Sequence, residues 1–187
     1  MNKRILNTAL FVFLALPLAA QYKLAGGGSM EIKGTSTLHD WEMKSSALSG
    51  QADFQIEGAE LKGIPTLNFT MAAETLKSGK DAMDKNAYKS LKTSSNKNIT
   101  FQLTRVTSVT KSGSGYEVTA EGKLQIAGTT KTTTIKALCT VSGNTIKCKG
   151  EKTFKMSEYQ VEPPSFMFGS VKTGDEITAL FEITFTK

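Results

Sequence analysis

Ile177-Thr178-Ala179-Leu180-Phe181-Glu182-Ile183-Thr184-Phe185 alternates with period two. Ile177, Ala179, Phe181, Ile183 and Phe185 share one face, Thr178, Glu182 and Thr184 take the other, and only Leu180 breaks the rule. Successive side chains of an extended chain point to opposite faces, so this is a strand with one buried side. Upstream, Pro163-Pro164 cannot lie inside a central strand, because neither residue can donate to a ladder. The pair forces a rigid crossing beside the apolar run Phe166-Met167-Phe168, and Lys172-Thr173-Gly174-Asp175 reads as the turn before the last strand.

The same period recurs along the chain. Gly50, Ala52, Phe54 and Ile56 share a face; Gly63-Ile64-Pro65 reads as a break; Leu67, Phe69 and Met71 resume. Ile99, Phe101 and Leu103 alternate until Arg105-Val106 shifts the phase, as a bulge does. Tyr116, Val118, Ala120, Gly122, Leu124 and Ile126 form the longest clean alternation. Turn signals every eight to twelve residues or so place the chain among antiparallel sandwiches and barrels. One segment differs: Met83, Ala87 and Leu91 recur every four positions against Lys85, Lys89 and Lys92. That is a short amphipathic helix, with Asp81 near its start placed to pair with Lys85. Its lysines are either a solvated face on a cap over the sheet or a patch for an anionic head group or membrane surface.

Cys139 and Cys148 flank Gly143-Asn144, a favoured two-residue hairpin turn. Counting outward, Ser142 pairs with Thr145, Val141 with Ile146, and Cys139 faces Cys148 at a non-hydrogen-bonded position where a disulfide fits. The alternative is two small buried thiols, or a register shifted by one.

Residues 1–20 read as a secretory signal peptide: Lys3-Arg4, an apolar run from Ile5 to Leu16, then small residues before a cut near Ala20–Gln21. Residues 21–187 are then one domain, exported to the periplasm or secreted. Loss of Lys3 and Arg4 takes the net charge from +6 to +4. That mildly basic balance lacks the dense stripe and interleaved aromatics of a nucleic-acid footprint. Catalysis finds little support. The single histidine, His39, adjoins Asp40, but neighbouring strand side chains point apart. No serine sits in a nucleophile elbow, and no residues have metal-ligand spacing.

Several residues expected to face inward are small: Gly50, Ala52, Ala120, Gly122, Ala137 and Ala179. Either they leave room for one ligand, as a small barrel allows, or they meet large partners opposite.

Three stretches together resemble the YceI-like family of exported bacterial proteins that bind polyisoprenoids and other long-chain amphiphiles. They are Gly122 to Lys131, Met83-Asp84-Lys85 through Phe101, and Tyr159-Gln160-Val161-Glu162-Pro163-Pro164 through Ile177. The resemblance covers essentially all of residues 21–187. It implies an all-β, lipocalin-like barrel of eight antiparallel strands with one short helix, a long apolar channel, and no enzymatic cofactor. Phe54, Phe69, Met71, Phe101, Leu124, Phe154, Met156, Phe181 and Phe185 are the expected channel-lining residues. Phe166, Met167 and Phe168 would close the channel or grip the tail, and His39, Trp41 and Tyr159 are expected at its mouth or head group. The expected ligand is a long-chain isoprenoid or fatty amphiphile, with transient membrane contact and pairing of exposed sheet edges into a homodimer as further expectations. The rivals are a non-enzymatic barrel whose cleft takes a peptide or protein segment, and an enzyme using His39.

Overall fold

The computed structural model describes residues 21–166 and 169–187, so the expected signal peptide lies outside the described residues. The strands are β1 (Tyr22–Leu24), β2 (Ser29–Ser36), β3 (Trp41–Ser45), β4 (Leu48–Glu57), β5 (Glu60–Ala72), β6 (Asn98–Ser112), β7 (Gly115–Ile126), β8 (Thr129–Ser142), β9 (Thr145–Lys155), β10 (Ser165–Phe166) and β11 (Val171–Thr186). Helix α1 (Asp81–Ser90) lies between β5 and β6, and short 3-10 turns occupy Ala73–Thr75 and Met156–Tyr159.

Eight strands form a closed antiparallel ring in the order β1-β4-β5-β6-β7-β8-β9-β11, with β11 returning to β1. Beyond β1 the wall continues through β2, which pairs with β11, and β3, which pairs with β2. Gly26-Gly27-Gly28 makes the break between β1 and β2, with Gly27 at φ 87° where a Cβ would be strained. Three tight turns fall at one end of the ring, between Glu57 and Glu60, Ser112 and Gly115, and Ser142 and Thr145. Helix α1 and the long connections lie at the other end.

Three sequence expectations are corrected. Lys172-Thr173-Gly174-Asp175 is no turn; it lies inside β11, whose register against β2 shifts between Thr173 and Ile177. Gly63-Ile64-Pro65 does not end a strand. β5 runs through it, and the register passes from Asp53↔Thr66 to Gln55↔Gly63, so Ile64 and Pro65 bulge opposite Phe54. The opposite edge of β5 joins β6 only from Asn68 onward, so the missing proline donor breaks no ladder there. Asp81 also makes no ion pair with Lys85; the buried acid of α1 is Asp84. The bulge expected near Arg105 is present, as a register shift between Leu103 and Arg105.

The turn end is sealed. Tyr22, Ala52, Ile146, Phe185 and both cysteines are buried together there, Phe185 and Ile146 at 0% exposure. Cys139 faces Cys148 in the expected register and is joined to it by a disulfide, with Cα atoms 4.1 Å apart.

Candidate functional site

At the opposite end the interior is not filled. Two apolar chambers lie along the barrel, an outer one of about 380 Å³ and a deep one of about 160 Å³. Ile32, Ile99 and Phe154 border both, so the chambers meet at that level.

The sequence builds the outer chamber from connections as much as from strands. Helix α1 turns Met83 and Ala87 onto it, and Leu91, the residue that caps its C-terminus, joins them. Hydrogen bonds clasp the helix in place: the Tyr88 hydroxyl donates to the main-chain oxygens of Glu74 and Leu76, each at 2.8 Å, and Thr93 Oγ1 donates to Glu74 Oε1 at 2.7 Å. Asp84, 5% exposed, accepts from Ser78 N–H at 2.8 Å and Ser78 Oγ at 2.7 Å, with Lys77 Nζ at 3.6 Å. The Ser78 N–H, then its hydroxyl, hold the Asp84 carboxyl below the usual carboxylate range.

The β2–β3 loop makes a second side of the mouth. Ser36 Oγ donates to the His39 carbonyl at 2.7 Å, and Thr37 N–H donates to the Lys172 carbonyl at 3.0 Å. Leu38 on this loop is 70% exposed. Below it, Trp41 Nε1 donates to the Thr35 carbonyl at 3.0 Å, and its indole rests against Gly34, where any Cβ would overlap the ring. His39 Nδ1 donates to the Asp40 carbonyl at 2.7 Å.

The Met156–Tyr159 turn forms the third side. Ser157 N–H and Oγ donate to the two carboxylate oxygens of Asp175, at 2.8 and 2.6 Å. These bonds, the hydroxyl's above all, lower the Asp175 pKa from its ordinary 3.8. Tyr159 is buried edge-on to Phe154, ring centroids 5.3 Å apart, and burial together with the Glu158 charge pushes its phenol up. A carboxylate with a lowered folded pKa adds stability above its unfolded pKa and loses it as pH falls through the folded value. The stability difference between wild type and Asp175→Asn is therefore expected to be constant at neutral pH. It should shrink as pH drops below about 4 and vanish below the folded pKa, as urea midpoints against pH would record.

Of the residues expected to line a channel, Phe69, Met71, Phe101, Leu124, Phe181 and Phe185 border the deep chamber, Phe154 both, and Met156 the outer one. His39, Trp41 and Tyr159 border the outer chamber. Phe54 borders neither. Its ring meets Tyr22 and Phe185 edge-on at the sealed end, centroids 5.1 and 5.3 Å away. Met167 and Phe168 lie outside the described residues, as does the Phe166 side chain. Sequence reasoning missed Ile32, Met43, Leu76 and Ile177, which also border the outer chamber. The alternation Met30, Ile32 against Glu31, Lys33 carried that signal for Ile32. The apolar stripe of α1 was legible too, but as packing over the sheet rather than as a wall of the cavity.

Among the described residues no group of three or more His, Cys, Asp or Glu is placed to hold a metal ion, and no helix is long and apolar enough to cross a membrane.

The profile of the YceI-like domain matches residues 22–185. No curated protein sequence matches the chain significantly. Solved structures with this fold include Burkholderia cenocepacia BcnA, 19% identical, covering 84% of this chain and 95% of its own, with a TM-score of 0.68. A polyisoprenoid binding domain from Saccharophagus degradans is 12% identical, covering 88% and 97%, at 0.67. A Campylobacter jejuni YCEI protein is 14% identical, covering 100% and 99%, at 0.59.

Proposed function

The chain belongs to the YceI-like family, and from that membership we propose that it is an exported, non-enzymatic binding protein for a polyisoprenoid or other long-chain amphiphile. The observation that carries the reading is the pair of apolar chambers meeting at Ile32, Ile99 and Phe154 inside a barrel sealed at one end. An interior this apolar has no use for a polar substrate, since unpaired polar groups are costly to bury. The Saccharophagus degradans domain of the same fold is described as binding polyisoprenoids, which supports the ligand class. Phe69, Met71, Phe101, Leu124, Phe154, Met156, Phe181 and Phe185 would contact the hydrocarbon, the methionines adapting to variable chain shapes. His39, Trp41 and Tyr159 would frame the entrance. Residues 1–20 would direct export and be removed, and a disulfide suits the oxidising compartment beyond the inner membrane.

Burying one methylene is worth roughly 0.8 kcal/mol, so a twenty-carbon tail gains about 16 kcal/mol over water. A bilayer offers the tail similar burial, so exchange between membrane and barrel is close to neutral. That balance suits a carrier or reservoir, which has to release what it takes.

Native mass spectrometry on protein purified from its own periplasm without detergent tests the reading. A discrete added mass, resolved by organic extraction into a long-chain lipid, is the expected result. Protein that arrives empty and takes up no isoprenoid from vesicles would overturn it and bring a protein- or peptide-binding cleft forward.

A further inference from the structure

One opening in the barrel wall lies between β8 and β9. The β8–β9 ladder runs from Ser142↔Thr145 up to Lys136↔Glu151 and stops. Above that pair, Thr129–Ile135 of β8 pair only with β7, and Lys152–Lys155 of β9 only with β11. The strands therefore diverge into a wedge on the side of the barrel, topped by the Met156–Tyr159 turn. The first β9 residue above the last paired rung is Lys152.

Lys152 is also on the inward phase of its strand. Ile146, Cys148, Gly150, Lys152 and Phe154 alternate to one side, and Lys152 borders the deep chamber. Among the described residues it is the one ionisable side chain bordering that chamber, whose other walls are aliphatic, aromatic or sulfur-bearing. It is half-buried, and among the described residues no carboxylate and no hydrogen-bond acceptor pairs with it; what sets it apart from the other unpaired lysines is its place on the wall of the deep chamber. An ammonium carries three donors and no acceptor, so an unpaired one on an apolar wall is complementary to anionic oxygen.

We propose that Lys152 is the head-group anchor of this barrel: the protein selects anionic amphiphiles, and their carboxylate or phosphate sits at the β8–β9 wedge against Lys152 rather than beside His39. The inference rests on the lipid-binding reading above and names the ligand's charge within it. The wedge supplies what the head group needs, since there the charged end meets water through the wall while the hydrocarbon stays inside.

The test is calorimetric titration of wild type, Lys152→Met and Lys152→Arg with two matched pairs, dodecanoate against dodecanol and farnesyl phosphate against farnesol. Wild type is expected to prefer the anion of at least one pair by on the order of tenfold, as a charge-assisted hydrogen bond in a half-buried site gives. Which pair shows the preference tells carboxylate from phosphate. Lys152→Met should erase the preference and leave the alcohol's affinity unchanged, which also reports an intact fold; Lys152→Arg should retain it. An unchanged preference in Lys152→Met, or none in wild type, overturns the anchor and leaves the lipid-binding reading standing. If wild type takes up none of the four probes, the lipid-binding reading falls as well.

Discussion

Ala120→Phe is expected to lower affinity for a long-chain ligand by a hundredfold or more while leaving the barrel folded. Ala120 sits between Val106 and Ile135 in the ladders and borders the deep chamber. A benzyl group there takes space that the hydrocarbon would otherwise use, whichever way round the amphiphile lies. Displacing about four methylenes at roughly 0.8 kcal/mol each removes about 3 kcal/mol of binding, or more than two decades in Kd. The same substitution separates a cavity from a packed core. In a packed core an added ring forces off-rotamer side chains and costs roughly 1–3 kcal/mol. Here it meets space, so the urea midpoint should hold or rise. Lost binding with unchanged stability is the expected pair of results. Lost stability with retained binding would mean that Ala120 is packed tightly and the ligand lies elsewhere.

Ala120 and Gly122 are adjacent inward positions on β7, and the sequence offers the same reason to call either one room for a ligand. The structure separates them. A Cβ at Gly122 would overlap the Phe101 ring, so its missing side chain is filled by an aromatic from β6. Ala120, Ala137 and Ala179 instead border the deep chamber. What decides is the partner across the strand or across the barrel, and periodicity along one strand carries no information about that. Neither alternative describes all of these small residues: some border a cavity, and others meet a large partner.

The alternation of β7 and β11, the Gly143-Asn144 hairpin and the cysteine register were legible because each depends on local pattern alone. Lys172-Gly174 misled because Gly-Asp is turn chemistry in isolation. In the fold Gly174 passes Thr35 closely, and Asp175 is held to the Ser157 turn by two hydrogen bonds. Both features are long-range and leave no local trace. Lys152 is the opposite case: its inward phase on β9 is plain in Ile146, Cys148, Gly150 and Phe154. Its meaning appears only once the ladder is seen to stop one residue before it.

Removing the disulfide should produce the largest loss of stability among these variants. Cys139→Ala with Cys148→Ala is expected to cost about 3–4 kcal/mol and lower the Tm by roughly 10 °C. The cysteines are nine residues apart, and a loop of about ten residues gives close to 2.7 kcal/mol of restricted unfolded-chain entropy. Loss of two buried sulfur atoms, at positions 1% and 5% exposed, adds a packing cost of about 1 kcal/mol. Position increases the consequence. The bond joins β8 to β9 three residues below the last rung of their ladder at Lys136↔Glu151, so it is the covalent stop to the wedge above it. Without it, thermal opening should propagate downward from the wedge toward the sealed end. Amide exchange along Ile146–Gly150 should then accelerate more than exchange along β7, which stays paired on both edges over Tyr116–Glu121. Equal acceleration in both strands would mean that the bond acts only on the unfolded chain; a stability loss under about 1 kcal/mol would mean that the Gly143-Asn144 hairpin already closes the loop without it.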